Sequence, residues 1–205
     1  MSEWIELFNG KDLSGWEDFK NPHLWSVESG MIVAACEKGK MSNLSTREQF
    51  GDFELHLEYN ADAQVNSGVF VRVSDLKDEV HTGLEIQILD TAGKEPPFDK
   101  HDSGALYDMA EPKVNAVKPA GEWNALDIRC QGATIEVKLN GLVTVSENLD
   151  EYKTAGLNPD GTKNKFKYAW ATMPRKGHIG LQTHPSMDKT GGPKIRFKNI
   201  RVRAL

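Results

Sequence analysis

Hydrophobic and polar residues alternate one by one along much of the chain, the period of strands with one dry and one wet face. FELHLEY (53–59) sets Phe53, Leu55, Leu57 and Tyr59 on one side and Glu54, His56 and Glu58 on the other. VFVRV (69–73) turns Val69, Val71 and Val73 inward and Phe70 and Arg72 outward. GLEIQILD (83–90) buries Leu84, Ile86 and Ile88 and leaves Glu85 and Gln87 opposite them. In GHIGLQTHP (177–185), Ile179 and Leu181 alternate with Gly180 and Gln182, and His184 falls on the Gln182 face at the strand's end. TIEVKLNGLVTV (134–145) reads as two strands joined by Asn140-Gly141, a tight-hairpin signal. In the tail KIRFKNIRVRAL, Ile195 and Phe197 are out of phase with Ile200 and Val202, which predicts a bulge near Lys198-Asn199.

Turn residues separate these runs, and no segment shows the pattern of an amphipathic helix. Many short strands punctuated in this way predict an all-β, antiparallel two-sheet β-sandwich or a barrel. The length of 205 residues suits a single domain over 1–205. Two stretches break the alternation: 91–121, with Pro96, Pro97, Pro112 and Pro119, and 147–175, rich in Lys, Asn and Gly. Connections of that length inside a compact domain are uncommon and usually carry function or are disordered.

Hydrophobic residues make up 39% of the chain and charged ones 27%, enough for a core and against global disorder. The net charge of −5 lacks the basic footprint of a nucleic-acid binder and favours a neutral small molecule as partner. Cys36 and Cys130 each lie in a strand-like run, so two buried free thiols are expected. No CxxC pair is present to bind zinc as thiolates. MSEWIELFNG has neither the basic nor the apolar region of an export signal, and no run approaches membrane-spanning length. The sequence as it stands predicts a cytoplasmic protein without membrane association; removal of a leader would leave the same sequence in a periplasmic or exported one.

The candidate chemistry lies on the wet faces. If strands 67–73 and 84–89 are neighbours, Arg72, Glu85 and Gln87 share a face and offer a guanidinium, a carboxylate and a carboxamide to a polyhydroxylated ligand. The same residues also fit a surface ion pair of little energetic consequence. His184 fits a general base, a metal ligand or a plain surface residue. HDSGALYDM (101–109) brings Tyr107 and Asp108 on a loop able to fold over a groove, or to serve as an ordinary polar loop anchored by Tyr107. Of the tryptophans at 4, 16, 25, 123 and 170, Trp16, Trp25 and Trp123 read as packing, and Trp170 is the candidate exposed platform for a sugar ring. No GxSxG elbow, HExxH helix, phosphate-binding loop, dinucleotide fingerprint or EF-hand loop occurs, which leaves serine-triad, zincin and nucleotide-dependent chemistry without support.

LFNGKDLSGW (7–16), NSGVFVR (66–72), GLEIQILD (83–90), SGALYD (103–108), KPAGEWN (118–124), the LNG hairpin (139–141), GLQTH (180–184) and FKNIRV (197–202) occur in order from Leu7 to Val202. Together they resemble the 3-keto-disaccharide hydrolase family. The resemblance implies a concanavalin-like jelly roll with long loops over a concave face, and bacterial carbohydrate metabolism acting on glycosides oxidised to a ketone at carbon 3. It implies an elimination: a base removes the acidified proton on carbon 2, the enolate expels the glycosidic oxygen from carbon 1, and water adds back. Within the matching motifs, Glu85 or His184 is then the base. Arg72, Gln87 or a bound cation holds the enolate oxygen. Tyr107 or Asp108 protonates the leaving oxygen, and Gln182 falls in the same face. A divalent cation on Glu85 and His184 would have only the beginning of a site, and the metal stays unassigned. The keto sugar would have to come from a sugar oxidoreductase. PSMDKTGGP after His184 and the insert 147–175 look individual to this protein and bear on the substrate. Two alternatives stay open, a non-catalytic carbohydrate-binding module and a conventional glucanase. Against the glucanase, GLEIQILD places Glu85 and Asp90 on opposite faces of an ideal strand.

Overall fold

The computed structural model describes residues 2–18, 20–185 and 192–205. Its strands are β1 Ile5–Glu6, β2 Trp16–Glu17, β3 Trp25–Glu28, β4 Met31–Ala35, β5 Ser42–Thr46, β6 Phe53–Ala61 and β7 Asn66–Val73. After a single helical turn, α1 Glu79–Thr82, follow β8 Leu84–Leu89, β9 Trp123–Gln131, β10 Thr134–Leu139, β11 Leu142–Asn148, β12 His178–Thr183 and β13 Lys194–Ala204. Antiparallel pairing orders them into two sheets. An eight-stranded sheet runs β11-β10-β9-β6-β13-β4-β3 with β1 on β13, and a five-stranded sheet runs β2-β5-β12-β7-β8.

Alternation builds this sandwich. Val69, Leu84, Ile86, Ile88, Ile179 and Leu181 from the smaller sheet meet Phe53, Leu55, Leu57, Tyr59, Leu126, Ile128 and Phe197 from the larger in one core. Each such side chain contributes ~1.5–3 kcal/mol by leaving water. The hairpin turns at Asn140 and Gly141, both at positive φ, as the Asn-Gly signal predicts. The tail also bulges as expected: register shifts between Lys198 and Arg201, with Asn199 at φ 52°. Both cysteines are buried free thiols.

The strand β7 departs from its apparent alternation. Its register against β12 shifts between His178 and Gly180, so Val71 and Arg72 together oppose the single residue Ile179. Arg72 takes φ 55°, and Gly177 permits this, since a Cβ there would lie 2.3 Å from the carbonyl carbon of Arg72. The bulge turns Arg72 away from the outer face. Arg72 is 2% exposed, and its guanidinium donates to the Gly132 carbonyl at 2.7 Å and to Asp52 Oδ1 at 3.0 Å, at the end of the larger sheet. Arg72 therefore stands apart from Glu85 and Gln87, contrary to the expectation from spacing.

Trp170 is also placed differently from its expectation. It is 3% exposed and packs edge-on against Phe166 at 5.1 Å, as part of the core. Lysines surround it in sequence, but the insert folds back and buries Tyr152, Phe166 and Trp170, so Trp170 offers no platform.

Candidate functional site

The outer face of the five-stranded sheet carries the polar residues of the alternation. Pairing sets Asn43 of β5 beside Gln182 of β12, Gln182 beside Gly68 of β7, and Gly68 beside Gln87 of β8. Glu85 stands two residues from Gln87 on the same face, and its side chain leans over Gly68. A Cβ at Gly68 would lie 2.7 Å from Glu85 Oε1. Glycine in a strand interior is otherwise a cost; here its bare backbone makes the seat for the carboxylate.

Loop 101–109 covers the free edge of β8. Gly104 donates its N–H to the Gln87 carbonyl, Gln87 donates to Ala105, and Tyr107 donates to Glu85. Leu106 of this loop enters the core, and Tyr107 emerges beside Glu85. The insert 147–175 supplies Lys165, whose ammonium lies 3.9 Å from Glu85 Oε2 and 3.8 Å from the centre of the Tyr107 ring. Nothing in the periodicity of the insert singles out this lysine. At the other end, α1 closes the face: Glu79 accepts from Asn43 Nδ2 at 2.9 Å, Ser45 Oγ at 3.2 Å and Lys20 Nζ at 3.0 Å. Lys167 meets Asp78, next to α1, at 3.3 Å and joins the insert to that end.

Burial sets the electrostatics. The Glu85 side chain is 7% exposed. Loss of water pushes its carboxyl up to about 7, opposed by the nearby Lys165 charge and by a hydrogen bond from Gln182. Burial lowers the proton affinity of Lys165, against the pull of Glu85 and Asp108. Burial likewise lowers that of His184, where the Lys165 charge acts in the same direction. The Tyr107 phenol moves up, through burial and then the Glu85 and Asp108 carboxylates. His184, Lys165 and Glu85 therefore share one electrostatic environment.

Several polar atoms on this face have no partner. Asn43 Oδ1, Gln87 Oε1 and Gln182 Oε1 are buried acceptors without a hydrogen bond. Gln87 spends its amide N–H on Asn66 Oδ1 at 3.1 Å. An unpaired buried polar group costs ~1–3 kcal/mol, so a row of three marks a place where a ligand rich in hydroxyl groups restores the balance. Asp108 is committed elsewhere. At φ 62° it accepts the Lys165 backbone N–H at 2.6 Å and lies 3.4 Å from His101 Nε2. Its carboxylate holds the insert to the loop.

Of the residues singled out by sequence, Glu85, Gln87 and Gln182 converge, Tyr107 borders them and His184 feels the same lysine. Asp108 braces from behind, and Arg72 and Trp170 lie elsewhere. Among the described residues no group of three or more His, Cys, Asp or Glu is placed to hold a metal. The cation site considered at Glu85 and His184 thus gains no third ligand of those types. Residues 186–191, within the segment that follows His184, lie outside the described residues. No helix among the described residues is long and apolar enough to cross a membrane.

Residues 3–203 match the family described as 3-keto-alpha-glucoside-1,2-lyase-like domain. A Bacteroides thetaiotaomicron protein named 3-keto-disaccharide hydrolase is 25% identical, over 98% of this chain and 78% of its own length. A crystal structure of a candidate glycosyl hydrolase from Parabacteroides distasonis superposes with a TM-score of 0.83 at 33% identity, covering 99% of this chain and all of that one. A second such protein from the same organism gives 0.75 at 27% identity, covering 98% and 94%. A Bacillus subtilis carbohydrate-binding module shares the fold alone, at 12% identity and a TM-score of 0.56.

Proposed function

The chain belongs to the 3-keto-alpha-glucoside-1,2-lyase-like domain family, and from that premise we propose that it cleaves 3-keto-glycosides by abstraction of the carbon-2 proton, elimination and hydration. The observation that carries this reading is Glu85, a buried carboxyl raised to about 7 beside unpaired amide acceptors.

A ketone at carbon 3 acidifies the proton on carbon 2, and a base whose proton affinity lies near neutrality is suited to taking it. Positioned base catalysis supplies ~10²–10⁴-fold. Glu85 fills that role, oriented by Gly68 beneath it and by the Gln182 amide. Gln87, Gln182 and Asn43 accept from sugar hydroxyls. Tyr107 keeps its phenolic proton and serves the leaving oxygen, with His184 as the second proton-transfer group. The route requires one base, whereas retaining hydrolysis requires two carboxyls roughly 5 Å apart. The nearby carboxylates are already occupied, Asp90 by the Gln64 N–H at 3.0 Å and Asp108 by Lys165. A sugar oxidoreductase would have to supply the ketone.

The test is incubation with a panel of 3-keto-glucosides, following aglycone release. Wild type should release the aglycone, and Glu85→Gln and His184→Ala should lose release while keeping the fold. Sugar binding without turnover, with and without added divalent ions, would replace the enzyme by a binding module.

A further inference from the structure

We propose that Lys165 is the catalytic cation of this site: its ammonium hydrogen-bonds the ketone oxygen on carbon 3 and holds the charge that develops there while Glu85 takes the carbon-2 proton. The inference rests on the 3-keto-glycoside reading above and assigns the oxyanion role that the family resemblance left open between Arg72, Gln87 and a bound cation.

Three observations lead to it. Lys165 Nζ has no acceptor within hydrogen-bond distance among the described residues; its approach to Glu85 Oε2 stops at 3.9 Å. An ordinary ion pair closes to ~2.7–2.9 Å, so this ammonium keeps its donors for a third party. The head group is also fixed in place. It lies over the Tyr107 ring at 3.8 Å, a cation–π contact. Its backbone N–H is bound by Asp108, whose own carbonyl is held by Asn158 Nδ2 at 3.2 Å. Finally, base and cation are joined through a short path, because Tyr107 of the same loop donates its N–H to the Glu85 carbonyl at 2.9 Å.

The spacing suits the reaction. In a C2–C3=O unit the acidic hydrogen and the ketone oxygen sit on adjacent carbons, so one carboxylate and one ammonium set about 4 Å apart can address both together. The C2–H bond breaks and its proton goes to Glu85. The electron pair forms C2=C3, and the carbonyl pair moves onto oxygen, which accepts from Lys165. The carbonyl then re-forms as C1=C2 closes, and the C1–O pair leaves with the glycosidic oxygen, which takes a proton. Nothing is oxidised or reduced.

The experiment compares Lys165→Met, Lys165→Arg and Lys165→Cys with wild type on a 3-keto-glucoside. It reads kcat, KM and enzyme-dependent deuterium incorporation at carbon 2 in heavy water. Lys165→Met should lose roughly 10²–10³-fold in kcat and lose exchange in parallel, with KM little changed and circular dichroism native. Aminoethylation of Lys165→Cys with 2-bromoethylamine should restore both; the native thiols are buried. Full kcat and exchange in Lys165→Met would overturn the assignment. So would a Lys165 adduct trapped by borohydride, which would make the lysine an iminium-forming nucleophile. A wild type that neither exchanges nor cleaves overturns the underlying reading instead.

Discussion

A carboxyl on the outer face of a strand ordinarily meets water, but loop 101–109 and the insert cover Glu85, so its ionisation is costly. Two pH dependences follow from the same burial. As a base it acts only when deprotonated, so kcat/KM should rise with pH through about 7. His184 is shifted down and is already neutral there, so Glu85 governs the acid limb. For stability, the folded state holds this proton more tightly than the unfolded chain. The contribution of Glu85 is therefore fully present below the ordinary carboxylate range and is lost as pH rises through about 7. Over that window it amounts to ~3 kcal/mol. Chemical denaturation of wild type and Glu85→Gln from about pH 5 to about pH 8 should show the difference, wild type minus variant, falling as pH rises. A difference flat across that range would remove Glu85 as the perturbed group.

At the scale of elements, β7 does most to shape the site, through a residue without a side chain and through an irregularity. Gly68 seats Glu85, so Gly68→Ala would drive a Cβ to 2.7 Å from Oε1 and 2.9 Å from Cγ. The carboxylate can swing aside, so the fold should survive with native circular dichroism. Displacement of the base by about 1 Å should cost roughly 10²-fold in kcat; wild-type kcat in Gly68→Ala would contradict the seating. The sequence made much of this legible. FELHLEY, GLEIQILD and the Asn-Gly hairpin fold as their periods predict, and the tail bulge is visible because its phase changes. The bulge at Val71–Arg72 is hidden, because VFVRV alternates without a break and the glycine that permits it, Gly177, lies far along the chain. Lys165 was hidden too: it sits in an insert with no period, and only the docking of that insert on Asp108 carries it to Glu85.

At the scale of the whole molecule, Arg72 changes from a ligand donor to a tie between sheets. Its guanidinium leaves β7 in the five-stranded sheet and binds the Gly132 carbonyl in the β9–β10 turn and Asp52 just before β6 in the eight-stranded one. Asp52 is 40% exposed, against 1% for the Arg72 side chain, and Gly132 lies in an exposed turn, so both acceptors can recover water if their partner goes. Arg72→Leu should therefore lower stability by about 2–4 kcal/mol, less than the loss of a fully buried pair. For a domain of this size that corresponds to a fall of roughly 5–15 °C in Tm. A groove residue would respond in the opposite way, with Tm preserved and KM raised. Thermal unfolding and KM of Arg72→Leu, measured on one preparation below its Tm, separate the two roles. A lower Tm at unchanged KM fits the tie, and a raised KM at unchanged Tm would return Arg72 to the sugar face.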